Sequence, residues 1–570
     1  MAGIFSTLSV ARSALLAQSA AIRTVGQNIA NADTEGYTRQ RVQFAAARPE
    51  RLGRLSIGSG VEVSRIERVI DQHLEESLRR AATSLEDLST RSKVLGRIES
   101  VFNELDEEGI GPALDRFFQA VNDWSVRPED STARRQVIAS ADALADAFNY
   151  AGKRLIEIRS SLNDEVETGV GEINRMASEI AQLNGQIVEA ENGGRDLGTA
   201  NDLRDRRDLL LRRLGELVDL KAIETSTGAV NIMVNGQWLV FGKHTQQLET
   251  YQTAEDGIRI TKVRMAESGA AFAPESGKFG ALLAGRDSIV PGFMQDLDKF
   301  ANTIIGEINR VHSTGEGLRR FSDLTGTVAV SSPTAPLSEL QLPLAVSDGR
   351  FFFTVKNEST GRIDRYDIAV NLTGSQSPMS LQDLAAAINA AVADDHPEIE
   401  ASVTNDFRFR IRSTESALTF GFEEDTTGVL AALGLNTLFT GAKASDMSVN
   451  DLVRSDPALL AAGQGDGPGD NRNALAILAL RDKPLIEQAT LEDWWHGKLG
   501  ALGVQQAQAK ELAENQQRIV DHLTNQREAL SGVNIDEEAI NLITYQRAFQ
   551  GAARLLAVVD SLVATLLDAV

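Results

Sequence analysis

Both ends of this 570-residue chain repeat apolar residues in alternating steps of four and three. Near the start these are Ile4, Leu8, Ala11, Leu15, Ile22, Val25 and Ile29, with Gln18 the one polar interruption. At the end they are Leu542, Tyr545, Phe549, Ala552, Leu556, Val559, Val563, Leu566 and Val570, without a miss. A seven-residue apolar repeat marks a helix that packs along its length against another helix. Two such helices at opposite termini predict a chain folded back on itself, its ends paired in one coiled coil. The first helix stops where Asn28, Asn31, Asp33 and Gly36 crowd into a turn-forming cluster. The last is well marked at its start. Asn534 can cap it, Glu537 stands three residues on as in a capping box, and Asp536 and Glu538 suit the positive end of the helix dipole. At about 1.5 Å per residue, Ile535 to Val570 makes a rod of ~54 Å.

The pairing leaves something over. Ala14, Ala17, Ala20 and Ala21 give the first helix a second, small-residue face, and the last helix stays apolar to Val570. A two-helix rod has little core of its own, so the surplus predicts association with other chains. A closed monomeric hairpin is the bland alternative.

Between the ends, apolar spacing predicts an elongated helical bundle. One helical stretch runs from Val61 through Leu74, Leu85, Leu95 and Leu105. A second carries Leu114, Phe117, Phe118 and Trp124, and a very long third spans Val137 to Ile187. A fourth covers Asn201 to Leu220, where Asp202, Arg204, Asp205, Arg206, Arg207 and Asp208 read as a salt-bridged helix face. The period then shortens: Val230, Ile232 and Val234 alternate, Asn235-Gly236 supplies a type I′ turn, and Trp238 and Val240 return. A helix resumes at Phe279 and ends by Gly315 and Gly317. From about 325, prolines and two strands precede a helix beginning at Ser380, three residues before Asp383, and three further strand-like runs follow it. The expected class is mainly α with an inserted α+β domain. The expected division is 1–60 with 531–570 as a terminal coiled coil, 61–324 with 448–530 as a helical bundle holding a hairpin near 228–242, and 325–447 as an outer module.

Composition removes many activities. The formal charge of −23 opposes nucleic acid and anionic lipid, which need a basic surface. With Cys 0, disulfides, thiolate metal sites and cysteine nucleophiles are out. His73, His244, His312, His396, His496 and His522 have no metal-site spacing, and no nucleotide or hydrolase motif occurs. No metal, cofactor or catalytic residue is expected. The loop Gly463 to Asp470 is acidic and lacks a following Gly-Lys-Ser/Thr, so it reads as a turn re-entering the bundle. Trp494-Trp495 reads as core. Arg12 and Arg23 interrupt any signal-peptide core, and Arg554 and Asp560 interrupt the best apolar run near the end. Neither a cleaved signal nor a membrane partner is expected.

The stretch SALLAQSAAIRTVGQNIANADTEGYTRQRV closely resembles the start of the bacterial flagellar axial proteins, the rod, hook and junction proteins. The ending from Ser531 resembles their terminus. Within the group, the Asp536-Glu537-Glu538 run, Tyr37-Thr38-Arg39-Gln40 and the chain length look most like the hook–filament junction members. Asn28, Asn31, Gly36 and Tyr37 belong to the shared motif. Glu35 departs from it, standing where the family usually has Pro, which should relax the turn before Gly36. The resemblance implies a structural subunit of the flagellum and no enzyme. It also implies assembly with copies of itself, hook protein below, a second junction protein above, an export chaperone on the C-terminal helix, and secretion through the flagellar export channel. A hook or rod protein is the nearest alternative. A surface adhesin binding glycans through 325–447 is another.

Overall fold

The computed structural model describes residues 2–52, 55–102, 109–195, 198–255, 257–373 and 378–568. Its helices are α1 (Ala2–Ala30), α2 (Gln72–Val101), α3 (Ile110–Val126), α4 (Ser131–Ala190), α5 (Asn201–Leu217), α6 (Gly277–Ala284) and α7 (Val290–His312). They continue as α8 (Leu381–Val392), α9 (Val429–Ala432), α10 (Asp451–Ser455), α11 (Arg472–Leu478), α12 (Leu491–Ser531) and α13 (Ile535–Asp568). The strands before the long helices are β1 (Gln40–Ala46), β2 (Glu50–Leu52), β3 (Leu55–Ile57) and β4 (Val61–Arg68). Next come β5 (Leu220–Glu224), β6 (Val230–Val234), β7 (Gln237–Phe241), β8 (His244–Thr245), β9 (Leu248–Glu255) and β10 (Ile258–Met265). The later strands are β11 (Asp323–Ala329), β12 (Gly349–Asn357), β13 (Ile363–Val370), β14 (Ile399–Val403), β15 (Arg408–Ser413) and β16 (Leu418–Glu423). The fold is mainly α with inserted β structure.

Two units share these elements. The first comprises Met1–Val94, Ser160–Arg286 and Ala507–Val570; the second comprises Leu95–Arg159 and Asp287–Gln506.

In the first unit α1 packs along α13, and α2 packs on α5, where Thr83 Oγ1 donates to the Gly215 carbonyl. Val61–Arg68, expected to be helical, is instead a strand, paired antiparallel with β1 from Gln40↔Arg68 to Ala46↔Val61. Its β-branched Val61 and Val63 alternate with polar residues, a period of two that favours a strand. The Asn235-Gly236 turn forms as expected, with φ of 45° and 78°. It belongs to a four-stranded sheet ordered β5-β6-β7-β8. Asn184 of α4 holds this sheet, donating to the carbonyls of Val230 (2.7 Å) and Gly242 (2.8 Å). The β9–β10 hairpin had no counterpart among the expected elements. Asn163 of α4 fastens it at Thr261, together with the buried Arg286.

In the second unit, Val290–His312 follows a π turn at Gly285–Ile289. His312 is fully buried, its Nε2 accepting from the Ala461 N–H (3.0 Å) and its Nδ1 lying 2.8 Å from the Asn436 carbonyl. That contact defines the tautomer, with Nδ1 as donor. The inserted module holds two three-stranded sheets, β11-β15-β14 and β13-β12-β16, around a core of Phe351, Phe353, Phe409 and Phe420. Ser380 and Asp383 form the expected capping box. Asp470 organises the glycine-rich loop by accepting from the N–H groups of Gln464 and Asp466, and by pairing with Arg472. Trp494 and Trp495 are core, Trp495 stacked on Phe300 at 5.2 Å.

Candidate functional site

The expected interface residues lie along the α1–α13 seam. Ala11, Val25 and Val559 are buried. Leu8, Leu15, Ile22, Ile29, Leu542, Tyr545, Ala552, Leu556 and Val563 are half-buried, and Phe549 is more exposed. Ile4, Leu566 and Val570 lie outside the residues whose side chains are described. Tyr545 meets Phe44 of β1 edge-to-face, with ring centroids 6.3 Å apart.

Beside that seam α13 carries a second, uncovered stripe: Ile540 (65% exposed), Leu555, Val558 (55%) and Leu562 (50%). Thr544, Ala548 and Gly551 complete it, and it holds no charge. The helical run Leu491–Thr565 contains a stretch long and apolar enough, by length and composition, to cross a membrane, and almost none of it is buried. The apolar surplus expected from the heptads is therefore real and outward-facing.

A polar latch holds the base of this rod. Asn28, at the end of α1, is fully buried and uses every hydrogen-bonding position of its amide. Its Nδ2 donates to the Gln40 carbonyl and to Glu538 Oε2, both at 2.9 Å. Its Oδ1 accepts from the Tyr37 hydroxyl (2.9 Å) and the Gln40 N–H (3.0 Å). Asparagine fits because it alone among short side chains offers a two-proton donor and a carbonyl acceptor together. Glu538, 2% exposed in the first turn of α13, accepts through Oε1 from Arg39 at 2.8–2.9 Å. Burial of a carboxylate requires such a partner. The Arg39 backbone N–H donates to the Ser531 carbonyl (2.9 Å), so one residue ties the turn to both C-terminal helices.

Local sequence builds each part. Asn534 caps α13 by accepting from the N–H groups of Asp536 (3.0 Å) and Glu537 (3.3 Å). Glu537 does not complete a capping box; its carboxylate turns to Arg39 Nη1 at 2.9 Å. Asp536 stays in the first turn, exposed. Asn31 donates to the Gln27 carbonyl (3.0 Å) and closes the end of α1. The turn before Gly36 is not relaxed by Glu35. The Tyr37 N–H donates to the Thr34 carbonyl (3.1 Å), and Gly36 sits at φ +83°, the third position of a type II turn. Glu35 gains a pair with Arg213 at 2.8 Å in exchange.

The α5 run is salt-bridged as expected, Arg204 pairing with Glu191 and Arg206 with Glu179, and part of it also forms the floor of the latch. Asp205 is buried and accepts from the Thr38 N–H (3.1 Å) and Arg68 Nη1 (2.9 Å). Asp202 accepts from the side chains of Gln27 and Gln40, at 3.0–3.2 Å. Burial pushes the Asp205 carboxyl up, and Arg68 pulls against it. Burial also raises the Tyr37 hydroxyl well above the usual phenol range, reinforced by Asp202, Asp205 and Glu538, so it remains a donor to Asn28. Asp202, Asp205 and Arg68 were not singled out as site residues. The two aspartates had as sequence signal the density of Asp and Arg on α5, which cannot say what faces them, and Arg68, at the end of β4, had none.

A buried asparagine thus joins the two ends of the chain, and known proteins resemble it at both. The flagella basal body rod protein pattern matches residues 8–38, and the flagellar basal body rod FlgEFG protein C-terminal pattern matches 526–569. The flagellar hook-associated protein FlgK helical domain matches residues 95–326. Flagellar hook-associated protein 1 of Bacillus subtilis is 26% identical over 99% of this chain and 97% of its own length. That of Escherichia coli is 27% identical over 98% of this chain and 99% of its own. The solved flagellar hook junction protein FlgK from Burkholderia pseudomallei aligns over 80% of this chain and all of its own, at 16% identity and a TM-score of 0.49. The chain is thus similar over nearly its whole length to flagellar hook-associated protein 1, and at both ends to the flagellar rod proteins.

Proposed function

We infer that the chain is a structural subunit of the bacterial flagellum that joins hook to filament, acting by packing rather than by reaction. The observation that carries the mechanism is the doubled face of α13, one seam closed on α1 and a second, uncharged stripe left open. An apolar helix face of this length in water is covered by protein in the working state. Arg547, Arg554 and Asp560 lie on the same helix, which makes neighbouring copies, rather than a bilayer, the fitting cover. The latch at Asn28 and Glu538 sets the direction in which the rod leaves the body.

The finer parts of the reading rest on resemblance to the family. They are a ring of copies, contacts with hook protein and a second junction protein, an export chaperone on the C-terminal helix, and export by the flagellar pathway without a cleaved signal. The three-part division, with 1–60 and 531–570 as the assembly layer and 325–447 outermost, belongs to the same proposal. So do the assembly roles of Ile4 to Ile29 and Leu542 to Leu566.

Deletion of Asn541 to Val570 tests it. The truncated chain should remain folded and soluble, lose chaperone binding, and fail to restore motility to cells lacking the native protein. Normal motility from the truncated chain would refute the reading.

A further inference from the structure

Phe407, at the tip of the β14–β15 hairpin, is held in a conformation that its side chain opposes. Its φ is +60°, the one positive φ on an aromatic residue among those described. A bulky side chain is strained there, and this place in a three-residue hairpin loop ordinarily carries glycine or asparagine. The loop enforces the strain from both sides. The Phe407 N–H donates to the Thr404 carbonyl (3.0 Å), and the Phe407 carbonyl accepts from the Val330 N–H (3.0 Å). Thr404 Oγ1 accepts from the Arg408 N–H (2.9 Å), and Asp406 pairs with Arg408 (2.9 Å). Packing gives little in return: the ring is 42% exposed and takes no part in the core of the module. Strain that its surroundings over-determine in this way collects at binding sites.

The same unit carries an open apolar socket of about 760 Å³. Phe102, Pro112, Leu114, Trp495, Leu499 and Leu502 line it, from the end of α2, the start of α3 and α12. Its floor is firm, because Trp495 meets Phe102 edge-to-face at 5.4 Å and stacks on Phe300. Most of the charge at its mouth is balanced. Asp115 pairs with Arg481 at 3.2 Å, and Glu492 faces both Arg481 (3.8 Å) and His496 (3.9 Å). Glu99 is the lining acid without an ion pair to another described residue. A cleft of this size encloses a drug-sized ligand, so it takes a hairpin tip led by one ring.

We propose that Phe407 of one copy enters this socket on a second copy, its ring among Phe102, Trp495 and Leu499. The chain itself supplies both halves of the contact. Knob and socket are different surfaces, so the contact is head-to-tail and repeats from copy to copy. Aromatic anchors that fill preformed pockets carry much of the binding energy of an interface. The Asp406–Arg408 pair leaves the tip nearly neutral, so apolar fit rather than charge makes the match. This inference rests on the assembly reading above and names one contact within it.

With no native cysteine to compete, disulfide trapping tests the contact. Full-length Asn405→Cys and Ser100→Cys chains, the first enlarged by a fused tag, are mixed under mild oxidation. A disulfide-linked heterodimer should form, distinguished by size from either homodimer. Adding Phe407→Asn to the first chain should cut its yield about tenfold while raising the denaturation midpoint, since asparagine accepts the positive φ. Those opposite signs separate a displayed ring from one that supports the fold. Leu499→Gln in the second chain, a half-buried position, should cut the yield as far with helicity unchanged. No heterodimer, a yield indifferent to either substitution, or a midpoint that falls with Phe407→Asn would overturn the proposal. If the native chain also fails to associate on sedimentation, the assembly reading fails with it; if it associates, only this contact is lost.

Discussion

Asn28 and Glu538 stand 510 positions apart in the chain and share one buried hydrogen bond of 2.9 Å. Through it the end of the first helix and the start of the last become one structural joint. Replacing Asn28 by Ala strands Glu538, the Tyr37 hydroxyl and the Gln40 amide in a buried setting. The expected cost is about 2–4 kcal/mol. Hydrogen exchange should show it as faster opening of the first turns of α13 and of β1, with the second unit unchanged.

Gly36 should not tolerate a side chain. Its φ of +83° penalises any L residue, and a Cβ there would lie 3.2 Å from Leu209 Cβ. Gly36→Ala is expected to destabilise the first unit by about 1–2 kcal/mol. Chemical denaturation measures it.

Glu35→Pro should do the opposite. Position 35 is the second residue of the Thr34–Tyr37 turn, where proline is favoured. The gain from a stiffer unfolded chain is about 0.4–1 kcal/mol. It is offset slightly by loss of the exposed Arg213 pair, worth well under about 1 kcal/mol. A small rise in denaturation midpoint is the expected outcome.

His312 makes the second unit acid-sensitive. Burial, with Arg134 nearby, pushes its imidazole from 6.5 down to about 4. The unfolded chain takes up the proton first, so stability is intact above pH 6.5 and falls as pH drops toward 4. The full loss is about 3 kcal/mol. Denaturant midpoints at pH 7, 5 and 4 should show this fall. In His312→Gln the fall should shrink by that amount, from a starting point already lower by roughly 1–3 kcal/mol.

Much of the framework was legible because it is written in local periods. The heptads at Leu8–Ile29 and Leu542–Val563 needed only spacing, the Asn235-Gly236 turn only two residues that accept positive φ, and the Ser380–Asp383 cap only a three-residue interval. What escaped was non-local. Val61–Arg68 is a strand because β1 lies beside it, and Val69 to Leu74 then lead into a true helix, so the two periods blurred at their junction. Asp205 and Arg207 were legible as part of a salt-bridged helix face, but not as buried, because Arg68, Thr38 and the carbonyl of Gly228 come to meet them from elsewhere. Glu537 stands at capping-box spacing, but Arg39 offered a charged partner and won. Family resemblance marked Asn28 and Tyr37 as motif residues; only the fold shows Asn28 gripping Glu538 and Tyr37 holding Asn28.

The central claim is that the open stripe of α13 is the surface through which copies associate. Val558→Glu with Leu562→Glu puts two charges on that stripe without touching the α1 seam or the latch. Sedimentation of the full-length chain across a range of concentrations compares them directly. The native chain should shift to larger species as concentration rises, and the double variant, with unchanged helicity and denaturation midpoint, should stay monomeric. Equal association by both chains would contradict the account.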